Sequence, residues 1–309
     1  MKIFIDGSAG TTGLRIKDRL MKRSDVELIT LSEEQRKDTE SRKQALNSAQ
    51  VAFLCLPDAA AVEAVELVEN PDTVIIDTST AHRTSEGWAY GFPELSAEFE
   101  DKIKNSKRIA VPGCHAGGFI ALVYPLIEAG VLGNDALLSC YSLTGYSGGG
   151  KKMIAQYEAP DKPAELFSPR LYGTGLRHKH LTEMQKVAGL EQPPVFCPVV
   201  DDYYKGMATT IQLHNRYLRG QPTAREICHI LAAYYAGQPL VSVRWGGDAP
   251  TLPANALAGT DRLELVVCGH EEQTIVTALF DNLGKGASGA AVQNMNLMLG
   301  FPETTGLSL

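Results

Sequence analysis

Cys114 is the residue whose setting most clearly indicates chemistry. It lies in the segment Val111–Gly118, which reads VPGCHAGG, between an apolar stretch typical of a strand and a predicted helix starting at Phe119. Ligands of parallel α/β sheets bind beyond the carboxyl ends of the strands. Free N–H groups and the dipole at a helix start stabilise a thiolate, which is a good nucleophile toward carbonyl carbon. The sequence therefore predicts covalent catalysis by Cys114.

The remaining cysteines carry no such signal. They are dispersed, none forms a C-x-x-C pair, and Cys114 with His115 lacks the paired spacing of a zinc site, so we expect no metal. We interpret them as reduced thiols buried as small apolar side chains. They are Cys55, Cys140, Cys197, Cys228 and Cys268.

A nucleophilic cysteine needs an acid/base partner, and three histidines are candidates. His115 is adjacent to the nucleophile, and we expect its ring to face elsewhere because chain neighbours generally point in different directions. His178 and His180 lie in the segment RHKH, with Glu183 beyond. The alternative interpretation of this segment is a solvated basic surface, and the sequence does not choose between His178 and His180.

A glycine-rich turn follows the first predicted strand and precedes a helical pattern. Glycines at this junction allow a tight turn and let the backbone approach a pyrophosphate at the positive end of the helix. The alternative is an ordinary strand-to-helix turn. The residues predicted to bind a dinucleotide here are Gly7, Ser8, Ala9, Gly10, Thr11, Thr12 and Gly13.

The end of the second predicted strand bears on which dinucleotide binds. NAD-binding domains commonly place an acidic residue there, about 20 residues past the turn, to bind the ribose hydroxyls. This chain has Ser32 at that place and Arg36 one helical turn later. A hydroxyl and a guanidinium suit a 2′-phosphate, so we predict NADP, although Glu33 or Glu34 could turn inward.

Two further polar segments are candidate substrate contacts. The segment Asp77–Arg83, which reads DTSTAHR, follows the fourth predicted strand, and Ser79 with Arg83 could bind a carboxylate or phosphate. The alternative is a polar loop with an exposed arginine. Gly148, in the glycine run 145–150, is the third predicted substrate contact.

The elements that must position these residues change in character along the chain. Up to residue 113, short apolar strands alternate with helices, which predicts a doubly wound parallel sheet. From 114 to 284 longer strands, among them 207–214 and 241–245, predict an α+β domain with a mainly antiparallel sheet. An apolar helix over 287–299 closes the chain. A length of 309 residues agrees with two domains.

Composition excludes several classes of partner. The net charge is −7 and the lysines and arginines are scattered, which argues against a nucleic-acid partner. The amino terminus lacks the pattern of a signal peptide, and no apolar run approaches the ~20 residues of a membrane span. We therefore expect a cytoplasmic enzyme with a small-molecule substrate and no membrane association.

Two further motifs join those above, YGFPEL at 90–95 and the tail 285–296. Taken together, the motifs resemble the N-acetyl-γ-glutamyl-phosphate reductases of arginine biosynthesis in their shorter form. That family is related to the aspartate-semialdehyde dehydrogenases and, more distantly, to the glyceraldehyde-3-phosphate dehydrogenases. The longer form has tyrosine where this chain has His115 and proline where it has Thr182. The motifs that carry the resemblance are the glycine turn 7–13, YGFPEL at 90–95, PGC at 112–114, GYSGGG at 145–150, RHKH at 177–180 and the tail 285–296.

The resemblance implies a Rossmann domain over 1–113, to which the tail 285–309 returns with Asn294 near the nicotinamide, and a catalytic and oligomerisation domain over 114–284. It implies NADPH-dependent reduction of an acyl phosphate through a Cys114 thioester, with His178 or His180 as acid/base, in a homodimer or homotetramer. Three alternatives stay open: another acyl-phosphate reductase such as aspartate-semialdehyde dehydrogenase, a cysteine hydrolase or acyltransferase without nicotinamide, and a non-catalytic NADP sensor with Cys114 as a redox switch.

Overall fold

The computed structural model describes residues 1–247 and 249–309. The chain divides into two compact units, which are treated separately below. Unit 1 comprises Met1–Gly113 with Ala287–Leu307, and unit 2 comprises Cys114–Gly286 with Ser308–Leu309.

Unit 1 is built on a six-stranded sheet in the order β2-β1-β3-β4-β6-β5, and every pairing in it is parallel. Parallel strands need crossover connections, which here run through helices on both faces. The strands are β1 Lys2–Asp6, β2 Glu27–Ile29, β3 Val51–Leu54, β4 Val74–Asp77, β5 Ala89–Tyr90 and β6 Arg108–Ala110.

Alternate residues of these strands enter two apolar layers. Ile3 and Phe53 pack with helices α1 and α9 on one face, whereas Phe4 and Leu54 pack with α2 and α3 on the other. Because both faces are buried, the strands are continuous apolar runs rather than alternating ones. The helices of unit 1 are α1 Thr11–Leu20, α2 Thr39–Ser48, α3 Asp58–Glu66, α4 Ala97–Asn105 and α9 Gly289–Met298.

Unit 2 contains a seven-stranded mixed sheet in the order β11-β12-β13-β10-β7-β9-β8. The β11–β12 and β7–β9 pairs are parallel and the other pairs are antiparallel. The strands are β7 Ser139–Gly145, β8 Arg170–Leu171, β9 Val195–Asp201, β10 Met207–His214, β11 Val241–Trp245, β12 Leu263–Gly269 and β13 Gln273–Phe280.

Helix α5 crosses the centre of this sheet. Its glycines allow close approach, because a Cβ at Gly118 would lie 2.7 Å from Oγ1 of Thr209 on β10. A π-helix, Gly284–Ser288, follows β13. The helices of unit 2 are α5 Cys114–Glu128, α6 Gly150–Tyr157, α7 Leu181–Ala188 and α8 Ala224–Tyr234.

The predicted fold class is confirmed: one parallel doubly wound sheet and one mainly antiparallel sheet. Several local details differ from the expectation. The strands β5, β8 and β9 were not predicted, helix α5 begins at Cys114 rather than at Phe119, and a π-helix precedes α9. Within the described residues, no helix combines the length and apolar character needed to cross a membrane.

Candidate active site and cofactor site

Cys114 is the first residue of α5, and a neighbouring turn in unit 2 packs against it. A Cβ on Gly286 would lie 3.1 Å from the Cys114 Cβ and 3.0 Å from the carbonyl oxygen of Asp281. The buried Asp281 carboxylate holds this turn by accepting hydrogen bonds from the N–H groups of Gly259 at 2.6 Å and Leu283 at 2.8 Å. Sequence reasoning missed Gly286, because only the fold brings the turn after β13 to the start of α5.

The structure brings the candidate histidines into one aromatic cluster. The rings of His178 and His180 are 4.7 Å apart, and they lie 6.0 and 5.8 Å from the ring of His115. Phe196 of β9 packs edge-on against His115 and His178. The RHKH segment therefore turns its imidazoles into unit 2 rather than forming a solvated basic surface, and Arg177 and Lys179 remain exposed.

The two histidines of this segment differ in what binds their ring nitrogens. The backbone N–H of His180 donates to Nδ1 of His178 at 3.2 Å, so the neutral His178 ring carries its proton on Nε2. Burial and the charge of Lys179 lower the pKa of His178, which favours that neutral form. His180 is itself buried, at the residue before α7, and Glu183 is buried in the first turn of that helix.

The ring of His115 joins the histidine cluster, and both of its nitrogens are hydrogen-bonded. That it faces away from Cys114 stays a prediction. Nδ1 is 2.7 Å from Oγ of Ser142 and Nε2 is 2.7 Å from the hydroxyl of Tyr172. Burial lowers the pKa of His115 to about 3, so the ring is neutral at physiological pH.

Tyr172 was missed as a site residue. It lies directly after β8, is held by His115, and its pKa is raised by burial and by the charge of Cys114. Ser142 was missed as well, and its hydroxyl pairs with Thr209 at 2.8 Å. No motif marked these side chains, because each comes from a different strand or strand end of the sheet in unit 2.

In unit 1 the glycine turn has little room for side chains. Gly7 has a φ of +83°, and a Cβ there would lie 2.3 Å from the carbonyl oxygen of Cys55. A Cβ on Gly13 would lie 2.5 Å from the carbonyl oxygen of Gly7. Gly10 is the residue before α1, no side chain caps that helix, and its first turn contains no acidic residue. The backbone N–H groups at the start of α1 therefore form the kind of anion site that a pyrophosphate uses.

A pocket beside this turn contains cationic side chains. Ser8, Lys17, Thr30 and Arg36 contribute to its lining, and the Arg36 Nε donates to the carbonyl oxygen of Leu31 at 3.2 Å. Lys17 was missed, because it stands on α1 as one of several charges between apolar positions.

Ser32, which was predicted to bind the 2′-phosphate together with Arg36, does not line this pocket. Its hydroxyl oxygen accepts the N–H of Gln35 at 3.2 Å. Glu33 and Glu34 are both exposed, and Glu33 pairs with Lys37 at 3.8 Å. Neither carboxylate therefore points into the pocket, where it would repel a 2′-phosphate.

The one carboxylate lining the pocket, among the residues the structure describes, is paired. Asp6 ends β1, and its Oδ2 accepts from the Arg42 guanidinium at 2.9 and 3.1 Å. Both side chains are largely buried, so water screens their attraction little. The pairing compensates the negative charge at the floor of the pocket.

Asn294 is fully buried in unit 1 and oriented by its amide nitrogen. Nδ2 donates to the carbonyl oxygens of Gly91 at 2.9 Å and Ala290 at 2.7 Å. Among the described residues, Oδ1 meets no donor. A buried acceptor left unsatisfied costs about 1–3 kcal/mol, so an amide donor of a bound ligand would fit there.

The predicted substrate contacts lie in two different settings. Ser79 is buried and donates to Oδ2 of Asp77 at 2.7 Å, while Arg83 donates to the carbonyl oxygens of Val111 at 2.8 Å and Thr78 at 3.0 Å. Gly148 is exposed in the turn before α6. That these residues bind substrate stays a prediction, and in this structure Ser79 and Arg83 support the loop after β4.

The parallel sheet with its glycine turn and the cysteine at a helix start define a class of dinucleotide-dependent dehydrogenase, and the chain belongs to the semialdehyde dehydrogenase family. Residues 2–105 match the family model described as the semialdehyde dehydrogenase NAD binding domain, and residues 114–282 match the one described as the dimerisation domain. The resemblance inferred from the motifs is thereby confirmed.

Curated relatives refine this assignment. The chain is 44% identical over 318 residues to N-acetyl-gamma-glutamyl-phosphate reductase 2 of Nostoc, with 99% of each protein covered. It is 46% identical to the Pseudomonas putida protein of the same name, with 98% of each covered. The Brucella ovis N-acetyl-gamma-glutamyl-phosphate reductase is also 46% identical, with 97% of this chain and 99% of the relative covered.

Solved structures support the fold. An aspartate semialdehyde dehydrogenase II of Vibrio cholerae, complexed with ASA, superposes with a TM-score of 0.74 at 16% identity, covering 96% of this chain and 98% of that one. The Candida albicans aspartate semialdehyde dehydrogenase with NADP gives 0.70 at 16% identity and the same coverage.

Proposed function

We propose that the protein reduces N-acetyl-γ-glutamyl phosphate to N-acetylglutamate semialdehyde and phosphate, a step of arginine biosynthesis. The observation that carries the proposal is the position of Cys114 as the first residue of α5, in the same unit as the cluster of His115, His178 and His180. The identity of 44–46% to reductases of that name supports the choice of substrate.

NADPH is the proposed cofactor, and the residues of unit 1 fit it. The N–H groups at the start of α1 would hold the pyrophosphate, Lys17 and Arg36 the 2′-phosphate, and Oδ1 of Asn294 the carboxamide N–H of the nicotinamide. The pairing of Asp6 with Arg42 leaves little negative charge to repel a phosphate. When bound, the reduced nicotinamide supplies the hydride for the reduction.

The chain's own part of the reaction is acyl transfer. The Cys114 sulfur attacks the acyl-phosphate carbonyl, the N–H groups at the start of α5 stabilise the oxyanion, and phosphate leaves to give a thioester on Cys114. One preorganised N–H donor of this kind is worth about 3–4 kcal/mol in acyl-transfer enzymes. A thioester accepts hydride more readily than an oxygen ester, and reduction then releases the aldehyde and restores the thiol.

The ring nitrogens favour different tasks for the two histidines. Neutral His178 has Nδ1 occupied by a backbone N–H and its proton on Nε2, so it can donate a hydrogen bond but has no free acceptor for a thiol proton. We therefore assign proton abstraction from Cys114 to His180. His180→Asn should lower kcat/KM by about 10²–10⁴-fold, as loss of a general acid/base does, and His178→Asn should lower it less. Equal losses in both variants would remove this assignment.

Phosphate-dependent oxidation of N-acetylglutamate semialdehyde, followed as NADPH formation, tests the proposed function. We expect turnover with this aldehyde and a loss on the order of 10⁴-fold or more with Cys114→Ser. A parallel assay with aspartate semialdehyde tests the nearest alternative, since faster turnover of that aldehyde would assign the chain to the sister activity. NADP binding without any aldehyde oxidation would instead favour a sensor, and no NADP binding would favour a cysteine acyltransferase.

We further propose that the protein is a cytoplasmic homodimer. The face of the unit 2 sheet opposite α5 exposes Tyr141, Val195 and Ile275, each at least 40% accessible, and the segment matches a dimerisation domain. Sedimentation of the wild type should give twice the chain mass, and Ile275→Asp should shift it toward the monomer. Met21→Asp, at an exposed residue of unit 1, is the matched control.

A further inference from the structure

Asn282 joins two segments of unit 2 that are far apart in the chain. It lies two residues after β13 and is almost completely buried. Its Oδ1 accepts the backbone N–H of Gly206, the residue before β10, at 2.8 Å. Its Nδ2 donates at 3.0 Å to Oγ of Ser147, which is fully buried in the turn Tyr146–Gly149 before α6. Asn282 therefore holds this turn, which contains the predicted substrate contact Gly148, against the start of β10.

The backbone partner fixes how the Asn282 amide is turned. A backbone N–H can only donate, so the atom that meets the Gly206 N–H is the amide oxygen, and the amide NH₂ group faces the turn. That group has two N–H bonds, and Ser147 accepts one of them. Within residues 1–247 and 249–309, no second acceptor takes a hydrogen bond from Nδ2. One donor of a buried side chain is thereby left for a ligand.

The space that a side chain at Gly148 would fill is within reach of this donor. A Cβ there would lie 3.3 Å from Nδ2 of Asn282 and 3.6 Å from Oγ1 of the buried Thr144. Apart from the chain neighbours of Gly148, these are the described atoms within 4 Å of that point. The φ of Gly148 is not in the left-handed region, so its backbone does not itself require glycine. The missing side chain thus leaves a small polar space, which we call the Gly148 niche.

The wall of the Gly148 niche is polar but uncharged. An amide N–H suits a neutral acceptor oxygen, whereas phosphates and carboxylates are preferentially bound by arginine or lysine. The proposed substrate carries a phosphate, a carboxylate and an acylated amine. Apart from the carbonyl that reacts, the neutral acceptor it presents is the amide carbonyl oxygen of the acylated amine. The chemistry of the niche therefore favours this group of the substrate.

The niche belongs to the part of unit 2 that packs against the nucleophile. The carbonyl oxygen of Asp281, in the peptide bond to Asn282, would lie 3.0 Å from a Cβ on Gly286, and the same Cβ would lie 3.1 Å from the Cys114 Cβ. The amide carbonyl of the substrate is several bonds away from the carbon that reacts. Its binding site should therefore be displaced from the thiol but belong to the same part of the unit, as the niche does.

We propose that Asn282 donates its remaining amide N–H to the amide carbonyl oxygen of the substrate, in the Gly148 niche. The proposal rests on the proposed function, which supplies a substrate with an acylated amine. Asn282 then determines specificity, because a ligand that lacks the acylated amine leaves the buried donor without a partner. Gly148 is the residue type that keeps the niche open.

Calorimetric titration with N-acetylglutamate and with glutarate tests this contact without turnover, because glutarate is the same dicarboxylate without the acetamido group. The wild type should bind N-acetylglutamate about tenfold more tightly, as expected for one hydrogen bond in a buried site. Gly148→Ala fills the niche and should remove this preference. Asn282→Asp keeps an acceptor for Gly206 and lets the Ser147 hydroxyl donate, but it lacks the N–H. It should also remove the preference, although its charge weakens both ligands.

Gly175→Ala is the matched control, since Gly175 is an exposed glycine of the same unit whose added Cβ would meet no described atom within 4 Å. It should keep the wild-type preference, and thermal unfolding of Gly148→Ala should be close to wild type. A wild type that does not prefer N-acetylglutamate, or a preference that survives both Gly148→Ala and Asn282→Asp, overturns the proposal.

Turnover of N-acetylglutamate semialdehyde and of 5-oxopentanoate, the aldehyde without the acetamido group, separates this proposal from the proposed function. An enzyme that oxidises the acetylated aldehyde while Gly148→Ala keeps its preference for it supports the function and refutes the contact. An enzyme inactive on both aldehydes, whose preference for N-acetylglutamate in calorimetry is lost in Gly148→Ala, supports the contact and refutes the function.

Discussion

Two helix starts in this molecule share one local feature, and we propose different chemistry for each. Helix α1 follows β1, helix α5 follows β6, and neither has an acidic residue in its first turn. Both starts therefore present the positive end of a helix dipole. At α1 this end is reached through a glycine turn and has no side-chain cap, whereas α5 begins with Cys114 itself.

The surroundings of the two starts explain the difference. At α1, a side chain on Gly7 or Gly13 would collide with backbone, so the turn is formed by main chain and the nearby pocket has cations in its lining. At α5, the uncharged ring of His115, the residue after the thiol, packs with the rings of His178 and His180 and is hydrogen-bonded to the phenol of Tyr172. The first arrangement suits a phosphate that must bind and leave, and the second suits an anion that must react. A helix dipole thus supplies the anion preference, and the neighbouring side chains decide its use.

The largest expected effect is on turnover and comes from removing the thiol, which changes the start of α5 and leaves the start of α1 intact. Cys114→Ser should lower reductase turnover on the order of 10⁴-fold or more, because oxygen replaces a far better nucleophile. NADPH affinity, measured by fluorescence titration, should stay near wild type. Parallel losses of turnover and of cofactor affinity would show that the two helix starts do not act separately.

Gly13→Ala should have the complementary effect at α1. The added Cβ would lie 2.5 Å from the Gly7 carbonyl oxygen and 2.9 Å from the Ser8 Cα, so the turn must open. We expect NADPH affinity to fall about 10–100-fold, as when one or two charged hydrogen bonds are lost, while iodoacetamide still labels Cys114 at the wild-type rate. Gly10→Ala is the graded control, since its nearest contact is 3.3 Å, and its affinity should fall less.

Arg36→Ala tests whether the pocket beside α1 binds the 2′-phosphate of NADPH. Loss of one charged contact to the 2′-phosphate should weaken NADPH binding about tenfold and leave NADH binding unchanged. Lys37→Ala removes the next cation along the chain, which pairs with Glu33 on the surface, and should change neither affinity. Equal weakening of NADPH and NADH by Arg36→Ala would contradict a 2′-phosphate contact.

The smallest expected effect is on the pH dependence of stability, and it comes from the neutral ring of His115 at the start of α5. Burial lowers the pKa of His115 to about 3, below its ordinary value of 6.5, so the unfolded chain takes up a proton first as the pH falls. This histidine therefore removes about 1.4 kcal/mol of stability per pH unit below 6.5, until its folded pKa is reached. His115→Gln should flatten the fall in urea midpoint between pH 6.5 and 4.5, and the exposed His229→Gln should not.

Long, strongly patterned elements were predictable from the sequence. The predicted strands at 207–214 and 241–245 coincide with β10 and β11, and the glycine turn lies between strand and helix as expected. The short strand β5 was not predictable, because two residues show no periodicity. The contacts of His115 with His178 and His180 were not predictable either, because they join residues far apart in the chain.

The sequence by itself determined the family and the glycine turn, and it predicted the cysteine nucleophile and the pair of histidines, because each is a local pattern of residue types. Only the tertiary structure decided which groups pack against the start of α5. Tyr172, Ser142 and Gly286 come from segments far apart in the chain, and hydrogen bonds and packing between strands and turns of unit 2 bring them to the start of α5. It also indicates that neutral His178 carries its proton on Nε2, since a ring nitrogen's role depends on the backbone N–H that meets it.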